Sequence, residues 1–184
     1  MEELSLHILD IVQNSIAAAA RLISVGIVED AAADTLTVTV CDDGRGMDAE
    51  LLKRVCDPFT TGRKTRRVGM GLPLFRLAAE STGGSFEITS EVGKGTTVRA
   101  VFGLTHIDRQ PLGDIAMTMQ QIITANEQID FVYTHSVDGK SYTLDTREVK
   151  RLLGGVALSD MEVVLWLGGF LQENERELYS REDN

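Results

Sequence analysis

Residues 35–46 read Thr35-Leu36-Thr37-Val38-Thr39-Val40-Cys41-Asp42-Asp43-Gly44-Arg45-Gly46. Leu36, Val38 and Val40 alternate with Thr35, Thr37 and Thr39, the period of a strand with one face on a core. That strand runs straight into an acidic pair and two glycines. Glycine lets backbone approach a ligand closely and adopt positive φ. A carboxylate at a strand end can accept from an amino group such as that of adenine. An ordinary Asp-Gly turn has the same letters, so the stretch alone leaves both readings open.

Toward the N-terminus, residues 5–23 place Leu9, Val12, Ile16, Ala20 and Ile23 at three- and four-residue steps, which predicts a helix. His7, Asp10 and Asn14 make a second stripe at the same spacing. Asp10 and Asn14 read either as polar residues on a solvated face or as a working pair. An amide oxygen suits Mg²⁺, which takes few protein ligands when phosphates supply the rest. A neighbouring carboxylate can polarise a hydroxyl or a water. Residues 24–29 predict a strand, joined to the next through Ala31-Ala32-Ala33-Asp34.

Toward the C-terminus, Asp48 can cap a short helix ending at Val55. Residues 57–71, DPFTTGRKTRRVGMG, form a polar loop with Arg63, Lys64, Arg66 and Arg67 inside five positions. A basic knot in an acidic chain is either a solvated run or a local anion site. Gly69-x-Gly71-Leu72 opens a helix over 72–82, and backbone N–H groups at a helix start favour phosphate. Pro73 suits its first turn, and Gly83-Gly84 end it. Ser85–Glu91 and Thr96–Leu104 predict two strands joined by Val92-Gly93-Lys94-Gly95.

Composition bounds the whole. The chain has 184 residues, 43% of them hydrophobic, and a net charge of −10. That is enough apolar material for one domain, or one with a small appendage. Acid excess argues against nucleic acid as partner. No apolar run approaches a membrane span, and the start has no basic signal region. Cys41 and Cys56, both expected in the core, make no disulfide framework. The plain expectation is a reduced, soluble, cytoplasmic protein.

Residues 104–184 carry 7 basic and 14 acidic side chains, net −7. A helix over 113–125 is predicted. Two strands flank Asp138-Gly139, a hairpin signal. Asp145 with Glu148, and Ser159 with Glu162, fit capping boxes for two more helices, the first ending at Gly154-Gly155 and the second near Tyr179. The boundary is expected at residue 105, leaving 106–184 as a small α+β module. That module reads as a cap packed on the sheet or as a partner-docking unit.

Four segments stand in an order that carries more than any of them alone: Asp10-to-Asn14 with Ser15 and Ala18, Asp42-Asp43-Gly44-Arg45-Gly46, Gly69-Met70-Gly71-Leu72 and Gly93-Lys94-Gly95-Thr96-Thr97. With Asp57-Pro58-Phe59-Thr60-Thr61, they resemble the N, G1, F, G2 and G3 boxes of the GHKL ATPases. That superfamily includes DNA gyrase, the large heat-shock chaperone, histidine kinases and mismatch-repair ATPases; DPFTT before GMGL resembles the histidine-kinase branch. The resemblance covers residues 5–102. It implies an α/β fold, a two-layer sandwich of helices on a mixed sheet (the Bergerat fold), with ATP and Mg²⁺ as ligands.

The resemblance further implies that Asn14 holds Mg²⁺ and Asp42 receives the adenine amino group, with Gly44, Gly46 and Thr96 close by. It makes residues 60–68 a lid, and charge gives its Thr61, Arg63, Lys64, Arg66 and Arg67 a reason to meet phosphate, while Gly69, Gly71 and Leu72 form the following helix start. Asp10 stands where the family most often has Glu, one methylene shorter, as the candidate catalytic carboxylate. His7 reads as packed or pocket-lining rather than as a phosphoacceptor, and His106 and His135 as structural. Three functions follow as expectations: a stand-alone kinase subunit passing phosphate to a partner protein, a nucleotide-gated switch or slow ATPase, and a non-catalytic ATP sensor. The oligomeric state stays open.

Overall fold

The computed structural model of the chain describes residues 3–55 and 71–180. Among the described residues six strands and six helices follow one another: α1 (Leu4–Ala17), β1 (Leu22–Asp30), β2 (Thr35–Asp42), α2 (Ala49–Val55), α3 (Gly71–Ser81), β3 (Ser85–Glu91), β4 (Gly95–Gly103), α4 (Ile115–Ala125), β5 (Asp130–Val137), β6 (Lys140–Asp145), α5 (Thr146–Leu153) and α6 (Met161–Leu178). The strands form one sheet in the order β3-β4-β2-β1-β5-β6. All neighbours are antiparallel except β1 and β5, so the sheet is mixed. This is the α/β sandwich expected from the sequence.

Strand parity decides which side is core. Ile23, Val25 and Ile27 of β1, Leu36, Val38 and Val40 of β2, and Phe131 and Tyr133 of β5 are all buried, on the face toward the helices. Ser24, Thr37, Thr39 and Thr97 point the other way and stay half-exposed. Phe75 of α3 and Phe102 of β4 meet in the core with ring centroids 5.5 Å apart. Burying a side chain of this size stabilises by roughly 1.5–3 kcal/mol before the entropy of ordering it.

The helix expected over 5–23 ends at Ala17, and Ile23 is a strand residue. Ala19 takes φ 59°, outside helical geometry. Ile23 to Glu29 then pairs on both sides in the sheet, which outweighs the helical preference of the alanines. Cys41 is exposed rather than in the core, because its parity in β2 is that of Thr37 and Thr39. Cys56 lies outside the described residues. Asp160, not Ser159, caps α6 by accepting from the Glu162 N–H at 2.9 Å; Ser159 donates to Glu127 at 3.0 Å. The expected caps at Asp48 and Asp145 are present.

Residues 106–180 extend the sheet. β5 pairs along β1 from Leu22↔Asp130 to Glu29↔Val137, and α4 packs on both α1 and α6. The start of α1 is held by the segment before α4. Leu4 and Ser5 N–H groups donate to Pro111 and Leu112 carbonyls, each at 2.9 Å. His7 is buried, with Nε2 3.0 Å from Gln110 Oε1, and burial lowers its pKa.

Candidate nucleotide site

α1 buries Leu4, Ile8, Ile11, Val12 and Ser15 and turns Asn14 outward. Asp10 is half-buried one turn before Asn14, against the start of α3: a Cβ built at Gly71 would lie 3.1 Å from Asp10 Oδ2. The helix end and the loop after β2 are tied by the Arg45 N–H donating to Ala18 O at 2.9 Å.

Asp42 ends β2 with the same parity as Leu36, Val38 and Val40, so its carboxylate enters the helix layer. It is only 8% exposed. Ser15 Oγ donates to Oδ2 at 2.6 Å, and the Gly44 N–H donates to Oδ1 at 2.9 Å. A buried carboxylate without partners is costly, and these two bonds both offset that cost and fix its orientation. Any Cβ at Gly44 would sit 2.9 Å from Ala18 and from Asp42 Oδ1, so glycine is what allows the close turn. At Gly46 the backbone takes φ 66°, with Glu91 O where a Cβ would go. Asp43 has a different task. Its Oδ1 accepts from Arg21 and Leu22 N–H groups at 2.7 and 2.9 Å, and the Leu22 bond leads in holding its carboxyl below the usual range.

These elements enclose a cavity of about 300 Å³. Its polar lining is Asn14, Ser15, Asp42, Arg45 and Thr96, and its apolar lining includes Val40, Met47, Leu72 and Val98. Mostly apolar walls with a few fixed polar groups suit a flat heterocycle with an amino edge. Thr96 Oγ1 lies 2.9 Å from Ser90 Oγ, which accepts from the Met47 N–H at 2.8 Å and donates to Gly95 O at 2.9 Å.

Of the residues expected at the site, the fold brings Asn14, Asp42, Gly46, Leu72 and Thr96 to the cavity. Gly44 braces Asp42 from the adjoining turn, and Gly71 opens α3 beside Asp10. Thr61, Arg63, Lys64 and Gly69, with the expected lid over 60–68, lie outside the described residues. Ser15 stands in the segment that resembles the N box but carries no ligand role there, and Ser90 is absent from the expected site. Ser15 had a legible signal, a hydroxyl on the apolar stripe Ile8–Ile11–Ser15; Ser90 had none.

Residues 2–106 match the family described as histidine kinase-, DNA gyrase B- and HSP90-like ATPases. The chain belongs to this family. Every residue lining the cavity falls inside the matched span, so the cavity lies in an ATP-binding domain of the kind that histidine kinases carry. Sporulation kinase C of Bacillus subtilis (strain 168) is 32% identical over 96 residues, covering 52% of this chain and 22% of that protein. Sensor kinase CckA of Brucella abortus (strain 2308) is 37% identical over 68 residues, covering 36% of this chain and 7% of that protein. The chain thus spans less than a quarter of either relative. Among solved structures, the Aquifex aeolicus MutL ATPase domain complexed with ADP superimposes with a TM-score of 0.54 at 16% identity, over 84% of this chain and 70% of that one. The N-terminal domain of a DNA repair protein gives a TM-score of 0.56, also at 16% identity, over 79% of this chain and 53% of that one. Both share the fold. No helix among the described residues is long and apolar enough to cross a membrane.

Proposed function

We propose that the chain binds Mg·ATP in this cavity and serves as a kinase subunit that transfers the γ-phosphate to a partner protein. The observation that carries the nucleotide reading is Asp42: a buried carboxylate, oriented by Ser15 and Gly44, facing an otherwise mostly apolar cavity. It accepts the adenine amino group, while Val40, Met47 and Val98 cover the ring. The Asn14 side chain, at the exposed end of the cavity, supplies the amide oxygen that suits Mg²⁺. Bound Mg²⁺ would neutralise phosphate charge.

Kinase relatives and the Asp10–Asn14 pair support transfer over simple binding. In the proposed step an acceptor side chain attacks the γ-phosphorus. The bond from that phosphorus to the β–γ bridging oxygen breaks, ADP leaves, and the acceptor proton passes to Asp10. By their charge Arg63 and Lys64 suit phosphate, as does the Thr61 hydroxyl, and the backbone N–H groups where Gly71 opens α3 suit it as well. Arg63→Glu with Lys64→Glu should then weaken ATP at least tenfold and adenosine hardly at all.

A second reading, a nucleotide-gated switch or slow ATPase, draws on the hold that residues 110–112 keep on α1, the helix of Asp10 and Asn14. ATP labelled at the γ-phosphate separates the readings. Label moving onto a co-purified partner supports the kinase, and free labelled phosphate supports the ATPase. ATP bound without loss of label would leave a sensor.

A further inference from the structure

α6 turns only one side to the core: Val163, Leu167, Gly168 and Leu171 are buried there. Helical spacing puts Met161, Leu165 and Trp166 outside that stripe, and they are 71%, 67% and 51% exposed. Trp166 stacks on Phe170 with ring centroids 5.6 Å apart. Leu152 near the end of α5 and Val156 in the segment between α5 and α6 are exposed as well. Gly169 of α6 is also exposed, and a Cβ there would meet nothing within 4 Å. Single exposed apolar residues are ordinary; large ones gathered on the first half of one helix mark an interaction surface.

The charges on the same helix select the occupant. Glu162, Glu173 and Glu177 are exposed, against Arg176 as its one base, and residues 104–184 are net −7. A second copy would bring these acids against themselves. An anionic lipid surface or a nucleic acid would meet them as like charge. A helix with Leu or Ile on one face and Lys or Arg beside it supplies both complements.

We infer that the outer face of α6, centred on Leu165 and Trp166, docks a cationic amphipathic helix of a partner protein. The inference uses no cavity residue, so it stands or falls apart from the nucleotide reading. It gives that partner a physical path to the site, since α6 packs on α4 and α4 on α1. One link is direct: Gln120 Nε2 donates to Val164 O at 2.7 Å.

The test uses the full chain and two synthetic 18-residue helical peptides, one of Leu and Lys, the other of Leu and Glu in the same pattern. Trp166 is the chain's one tryptophan, so its emission reports on this face. The Lys peptide should bind with a blue shift of Trp166, and the Glu peptide should not. Leu165→Glu should weaken binding at least tenfold, Glu162→Lys with Glu173→Lys at least fivefold, and Ile107→Glu, an exposed apolar control in a loop, less than twofold. Equal loss in Leu165→Glu and Ile107→Glu overturns the inference, as does equal binding of both peptides. A dimer that Leu165→Glu dissociates, or a Trp166 shift on phosphatidylglycerol vesicles, would give the face to a different occupant and overturn it too.

Discussion

At the residue scale the central fact is that both Asp42 oxygens already have partners from the protein, Ser15 Oγ on one and the Gly44 N–H on the other. A carboxylate so held is ready to accept from adenine and would meet the guanine carbonyl as acceptor against acceptor. Hydrogen bonds to charged groups contribute about 1.5–3 kcal/mol, so Asp42→Asn should cost tenfold or more in ATP affinity by calorimetry. Ser15→Ala should cost less, a few-fold, because it loosens the carboxylate without removing it. Tight GTP binding by the wild type would sink the assignment. Asp10 packs beside the α3 start one turn from Asn14, so Asp10→Asn should hold ATP affinity within a few-fold while abolishing transfer or hydrolysis. The position of Asp42 was legible as a strand-end parity. That Ser15 meets it was not, since 27 residues separate them and only α1 crossing the end of β2 brings them together.

At the element scale, α6 is fastened by a charged clasp that no local pattern announces. His135 of β5 is fully buried, with Nδ1 2.8 Å from Glu175 of α6 and Nε2 3.4 Å from Glu29 of β1. Tyr133 and Tyr142 hydroxyls donate to Glu175, at 2.7 and 2.6 Å, and the Tyr179 hydroxyl donates to Glu29 at 2.5 Å. Burial alone would lower the His135 pKa, but the two glutamates outweigh it and raise it to about 9. Burial would raise Glu29 and Glu175, yet His135 and the tyrosines hold both below the usual carboxylate value. The raised histidine contributes stability that is complete below 6.5 and lost as pH climbs through about 9. Its size is on the order of 3 kcal/mol. The depressed carboxyls contribute stability present above 4.5 and lost as pH falls through their folded values. Urea unfolding should therefore show a stability plateau near neutrality, and His135→Gln should flatten its alkaline limb. An unchanged alkaline limb in that variant would mean that His135 is neutral in the folded chain. The Asp160 cap is a separate contribution, and Asp160→Ala should cost about 1 kcal/mol in the same measurement.

At the scale of the whole molecule, one sheet and one core run through the described residues. The buried set passes from Ile8 and Val12 of α1 through Ile23 and Val25 of β1 to Met119, Ile123 and Phe131 beyond residue 105. Removing residues 106–184 would open the β1 edge along its whole pairing with β5 and uncover the α1 side that meets α4. An open edge beside exposed apolar surface invites aggregation. The fragment 1–105 should show no sharp thermal transition and should aggregate, while the full chain unfolds in a single calorimetric step. Two separate transitions in the full chain would show that residues 106–184 hold together independently.

Some features needed only local physics. Strand period, the hairpins at Ala31–Asp34 and Asp138-Gly139, and the caps at Asp48 and Asp145 depend on neighbours a few residues apart, which the sequence writes side by side. The ordered glycine and acidic boxes likewise carried the family. Where contacts join distant segments, only the tertiary structure decided. The helix over 5–23 stops at Ala17 because β1 gains, beside its hairpin partner β2, the distant strand β5 as a second partner. Cys41, expected in the core, faces outward with Thr37 and Thr39 because helices cover only the other side of the sheet, and the sequence does not say whether a second layer covers the threonine side. The parallel pairing of β1 with β5 joins residues more than a hundred positions apart. That pairing, like the hold of Ser15 on Asp42 and of Glu29 on His135, joins segments that meet only in the folded chain, where burial makes an unpaired polar group more costly than a distant partner.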